Sequence, residues 1–155
     1  MKKKSTKQGL GMVDVSAKKV TKRMAVASAS VYMGPKAFMA FLQGQSPKGD
    51  ILETARVAGV MAAKSTPRII PFCHPLELNK VNISFQIDQK TSMITIIAEV
   101  VYRGRTGVEM EALSAVTIAA LTVYDMMKWA DKGMVITDIK LLEKRGGKSG
   151  DYKRR

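Results

Sequence analysis

Val81-Asn82-Ile83-Ser84-Phe85-Gln86-Ile87-Asp88 alternates apolar and polar residues without a break, and Ile94-Thr95-Ile96-Ile97-Ala98-Glu99-Val100 largely repeats the pattern. Alternation puts one row of side chains on each face of a strand, so both runs read as half-buried strands. Asp88-Gln89-Lys90-Thr91-Ser92 between them has the composition of a hairpin loop. An antiparallel hairpin therefore sits mid-chain, and its apolar face needs cover from the segments on either side.

Upstream, residues 24–33 set Met24 and Val26 against Ala25, Ala27, Ala29 and Val31, which fits another strand. Gly34-Pro35 opens a short helix through Phe38, Phe41 and Leu42, with proline tolerated in the first turn. After the turn Ser46-Pro47-Lys48-Gly49, Asp50 suits an N-cap and Glu53 completes a capping-box-like pair. The helix that follows, over about 51–64, is small on one side (Ala55, Ala58, Gly59, Ala62) and can pack closely. Downstream of Gly104-Arg105-Thr106-Gly107 the longest helix runs over about 108–130 and stops near Gly133. A strand over 134–142 and the glycine-rich Gly146-Gly147-Lys148-Ser149-Gly150 follow. Strand, helix, strand, strand, helix, strand is the βαββαβ plan of an α+β, ferredoxin-like sandwich, an antiparallel sheet with helices on one face. Helix 108–130 is apolar nearly all round, so it is expected to be buried on more than one side in an oligomer.

With 155 residues, 46% of them hydrophobic, the chain can bury a substantial core as one domain. Residues 1–11 read as a flexible basic arm, 12–151 as a single domain and 152–155 as a basic tail. One cysteine rules out an internal disulfide, and Met1-Lys2-Lys3-Lys4 leads into polar residues rather than a signal peptide, so the cytoplasm is expected. The longest uncharged stretch, 112–124, is too short to span a membrane. A net charge of +13 suits an anionic partner.

Three motifs fall short. Gly147-Lys148-Ser149 looks like the end of a P-loop, but the required glycine is Leu142. One His and one Cys do not supply a zinc site. The central strand offers only Tyr102 for base stacking, so nucleic acid is not expected. The positive candidates are charges in apolar settings. Asp125 and Lys128 are neighbours on helix 108–130, and Glu109 and Glu111 lie at its start. The carboxylates Glu111 and Asp125 are about 21 Å apart along that helix, too far for one small substrate to touch both. Either they serve different sites or a second subunit supplies one. The lone pair Cys73-His74 lies on a corner stiffened by Pro71 and Pro75.

Met12-Val13-Asp14-Val15, Lys48-Gly49-Asp50, Ile70-Pro71-Phe72-Cys73-His74-Pro75-Leu76, Thr106-Gly107-Val108-Glu109-Met110-Glu111-Ala112-Leu113, Leu121-Thr122-Val123-Tyr124-Asp125-Met126 and Gly146-Gly147-Lys148-Ser149-Gly150-Asp151 together resemble one family. It is the cyclic pyranopterin monophosphate synthases, the C component of molybdenum-cofactor biosynthesis. One departure is Gly104-Arg105-Thr106-Gly107, where the family usually shows Gly-Lys-Thr-Gly; the charge is kept.

The resemblance implies a homohexamer of three dimers with the active site at a dimer interface. It implies a lyase that rearranges a cyclic GTP derivative, 3′,8-cyclo-7,8-dihydroguanosine 5′-triphosphate, into cyclic pyranopterin monophosphate and pyrophosphate. By position, Asp125 and Lys128 would be catalytic, with Lys48 a further active-site lysine. Phe72, Cys73, His74, Met110 and Glu111 would bind substrate, and the expected chemistry adds Lys64 and Lys144 as outer positive charge. The expected chemistry makes Asp125 the general base and Lys128 the general acid. Cations near the leaving pyrophosphate would stabilise its developing charge. No resident cofactor or metal is expected, and whether a divalent ion accompanies the triphosphate stays open. A catalytically silent nucleotide-binding module is the rival reading.

Overall fold

A computed structural model describes residues 9–155; the stretch of the expected arm carrying Lys2, Lys3, Lys4 and Lys7 lies outside the described residues. The elements are β1 (Thr21–Tyr32), α1 (Gly34–Leu42), α2 (Ile51–Ile69), β2 (Lys80–Asp88), β3 (Met93–Gly104), α3 (Glu109–Met127), β4 (Val135–Arg145) and β5 (Tyr152–Lys153). The strands form one antiparallel sheet in the order β2-β3-β1-β4-β5. The first four strands carry the expected βαββαβ topology, and the hairpin turns at the expected loop.

Small side chains set the layer spacing. Ala25, Ala27 and Ala29 of β1 are fully buried, as are Ala112, Ala115, Ala119 and Ala120 of α3. Alanine at these positions lets helix and sheet approach closely, while Met33, Ile94, Ile96, Val100, Val123 and Met127 fill the space between. Against α3 lies α2, whose Gly59 leaves no room for a side chain: a Cβ there would stand 3.0 Å from the carbonyl oxygen of Ala115. Among the described residues α3 is also the one helix long and apolar enough by composition to cross a membrane, and half of its most apolar window is buried within the protein. That is how a core helix reads.

Several boundaries differ from the sequence reading: β1 starts three residues earlier than expected, at Thr21, and β4 runs three residues further, to Arg145. α2 continues past Lys64 to Ile69 with Pro67 inside it. A proline so near the end forfeits one late hydrogen bond, and the Thr66 hydroxyl donates to Ala62 O at 3.0 Å within the same turn. The helix stops where Ile70 turns extended (φ −100°, ψ 113°) ahead of Pro71. α3 ends at Met127, three residues early, with turns through Ala130. The expected basic tail is partly structured: Tyr152 and Lys153 pair with Lys144 and Glu143 as β5, and Arg154 N–H donates to Leu142 O at 2.8 Å.

Candidate active site

Two polar clusters form, one at each end of α3. At its C-terminal end Asp125 Oδ2 accepts from Lys48 Nζ at 2.5 Å and Asp125 Oδ1 from Lys128 Nζ at 2.8 Å. Lys128 arrives by helical spacing. Lys48 arrives from the turn before α2, where its own N–H donates to Ser46 Oγ at 3.2 Å. Two residues on, the Asp50 carboxylate accepts from Glu53 N–H at 2.9 Å and fixes the start of α2. The Asp125 side chain is 47% exposed, so this cluster faces solvent. Hydrogen bonds from Lys128 and Lys48 hold the Asp125 carboxyl down at about 2, and its charge raises the Lys128 ammonium above the ordinary lysine value.

The cluster at the N-terminal end is built differently. Glu111 is 3% exposed, and burial pushes its carboxyl up to about 7. Cys73 lies close by; burial raises its thiol, and the Glu111 charge raises it further. Phe72 and Met110 flank the cluster as exposed side chains. Glu109 reaches Lys144 Nζ at 3.6 Å, and that ammonium donates to Ser149 Oγ at 2.6 Å. His74 Nε2 meets Val13 O at 2.9 Å. Lys64 is exposed on α2, beyond Gly59 toward this end of α3.

β4 carries two bulges on its way to Lys144. Leu141 pairs with Ala27, yet Glu143 pairs with Val26 and Lys144 with Ala25, so Leu142 is the extra residue. Strand side chains alternate, and one inserted residue reverses every later one. A second shift, between Ser28 and Ser30, precedes it, and the two cancel: Lys144, paired with Ala25, lies on the same helix-covered face as Ile136, paired with Val31, and reaches toward Glu109. A residue the sequence reading passed over stands beside it. Arg23 is 8% exposed and donates from Nη2 to Arg105 O at 3.3 Å. Gly146 and Gly147, at φ +84° and +93°, close over it where any side chain would collide with the guanidinium or with Lys22 O. Among the described residues, three buried side-chain atoms here lack a hydrogen-bond partner: Arg23 Nε, Thr21 Oγ1 and Thr106 Oγ1. Nothing local in the sequence marks Arg23; its signal is the convergence of three distant segments.

Lys48, Asp125 and Lys128 thus come together within one chain, while His74, Cys73, Glu111 and Lys144 belong to the other end of α3. Fold and clusters define a small α+β protein with two charged clusters at opposite ends of one helix, one holding an ionised carboxylate and the other a carboxyl near neutrality. Residues 12–147 match the MoaC family, and the chain belongs to that family. It is 56% identical over 142 residues to a protein of Listeria monocytogenes serotype 4a (strain HCC23), covering 92% of this chain and 88% of the relative. A Desulfatibacillum aliphaticivorans protein is 54% identical over 141 residues, with 91% and 89% covered. A Heliobacterium modesticaldum protein is 53% identical over 146 residues, with 94% and 92% covered. All three bear the name cyclic pyranopterin monophosphate synthase.

Proposed function

We propose that this chain is a cyclic pyranopterin monophosphate synthase, a lyase that converts 3′,8-cyclo-7,8-dihydroguanosine 5′-triphosphate to cyclic pyranopterin monophosphate and pyrophosphate. The observation that carries the reading is the Lys48–Asp125–Lys128 cluster in a chain so similar to proteins of that name. The expected site residues take these roles. A carboxylate held at about 2 is a weak proton acceptor. An incoming triphosphate competes for Lys48 and Lys128, and once either ammonium leaves Asp125 its basicity rises, so substrate arrival switches the base on. The displaced ammonium groups then stabilise charge on the departing pyrophosphate. Glu111, at about 7, is poised to give or take a proton near neutral pH and acts in the chemistry as well as in binding. Phe72, Cys73 and Met110 border the pterin, and His74, Lys64, Lys144 and Arg23 gather the phosphates.

Both half-sites serve one substrate if α3 packs antiparallel on the α3 of a second copy. The midpoint between positions 111 and 125 is Ile118, on the half-exposed side of α3 with Leu121. Val57 and Met61 of α2 are exposed large hydrophobic residues as well. A two-fold axis near Ile118 sets one copy's Glu111 beside the other's Asp125, at a helix separation of about 8–10 Å. Three such dimers make the homohexamer, working in the cytoplasm.

Incubation with the cyclic GTP derivative tests the function. Pyrophosphate released in step with a pterin product is the expected result. Tight binding without pyrophosphate would leave a silent binding module instead.

A further inference from the structure

Outside the catalytic clusters, residues 12–18 form a hooked segment with no role so far. Its side chains do not anchor it: Leu10 is 93% exposed, and Met12 and Val13 are exposed as well. Polar hooks hold it. Asp14 Oδ1 accepts from Ser16 N–H at 2.9 Å and from Ser16 Oγ at 2.5 Å, closing an Asx turn. Lys18 N–H donates to Val15 O at 3.0 Å. Arg105 Nε donates to Lys18 O at 3.1 Å, and His74 Nε2 lies 2.9 Å from Val13 O.

A carbonyl oxygen only accepts, so the hydrogen of the last contact must sit on Nε2. The neutral ring is then the Nε2–H tautomer, with a lone pair on Nδ1. We propose that Val13 O is a positioning group: it fixes the tautomer and plane of His74 so that Nδ1 faces the substrate phosphates. With Nε2 occupied, Nδ1 is the one ring nitrogen left for a ligand, and it donates to a phosphate oxygen when it takes up a proton. The Asx turn at Asp14 and the Arg105 hook hold the carbonyl in place. A segment fixed by a few exposed hydrogen bonds opens easily, so order in this segment couples to the state of the site. The inference rests on His74 belonging to the site, as proposed above.

His74 is the only histidine, so one ¹⁵N-histidine label reports one ring. Residues 9–20 contribute nothing to the buried core, whose first member is Ala25, so a chain lacking them keeps its fold. In the full chain the ring nitrogens should show a protonated Nε2 and an unprotonated Nδ1. A chain beginning at Met12 should keep that pattern and the full kcat/KM. A chain beginning at Val15, and the full chain carrying Asp14→Ala, should show averaging of the two tautomers. Their kcat/KM with the cyclic GTP derivative should fall on the order of tenfold to a hundredfold, chiefly through KM. Asp14→Asn keeps the turn and should restore both readouts. A tautomer pattern unchanged by removal of Val13 would overturn the inference and leave the role of His74 standing. Averaging with kcat/KM unchanged would overturn it too, and His74→Ala at parental kcat/KM would then show that the histidine itself lies outside the site.

Discussion

Asp125 and Glu111 are two carboxyls on one helix with opposite environments. Two ammonium groups keep the first ionised; burial keeps the second near its midpoint at neutral pH. Asp125→Asn removes the group both lysines address, so kcat should fall on the order of a hundredfold to ten-thousandfold while the fold persists; steady-state kinetics and circular dichroism check the two halves of that statement. Glu111 carries a signature in stability. Its folded value, about 7, lies above the ordinary 4.5, so between those values the folded protein holds more protons than the unfolded chain. Stability must then fall as pH rises through that window. Glu111→Gln should match the parent near pH 4 and exceed it by up to about 3 kcal/mol near pH 8. Urea unfolding at both pH values, with equal slopes, reads this directly.

The helices deliver these side chains, and their packing is where small changes show. Asp50→Ala loses the cap of α2 and should cost about 1 kcal/mol. Because Lys48 lies in the turn that the cap secures, KM should rise as well. Gly59→Val pushes against Ala115 O and the Ile83 side chain, separating α2 from α3 at a cost of about 1–3 kcal/mol in denaturant unfolding. Much of this layer was legible beforehand. The alternation in 81–88 and 94–100 gave the hairpin, the Asp50–Glu53 pair gave the helix start, and the small face at Ala55 and Gly59 announced close packing without naming α3 as the partner. These are local signals, one element each. Lys144 was named only for its charge, as part of the basic body and as outer positive charge; its approach to Glu109 runs past two bulges in β4, and no periodicity marks such extra residues. Arg23 and β5 were missed for a related reason. A guanidinium enclosed by Gly146, Gly147 and Arg105 is a contact between three remote segments, and β5 is two residues of basic tail that find an open edge.

On the proposed reading, each whole chain contributes half of two sites. An α-helix about 21 Å long between Glu111 and Asp125 holds the clusters apart as firmly as it holds each in place, and the partly exposed apolar stripe around Ile118 and Leu121 invites a second copy to bridge them. Subunit exchange between two crippled variants measures this. Asp125→Asn and Glu111→Gln should each be nearly inactive alone. When the two are co-refolded, half of randomly formed dimers are mixed and each mixed dimer has one site with both carboxyls intact. The mixture should therefore recover about a quarter of the parental pyrophosphate release. Activity no higher than that of either variant, in a sample where mass analysis shows mixed oligomers, would contradict a site shared between subunits.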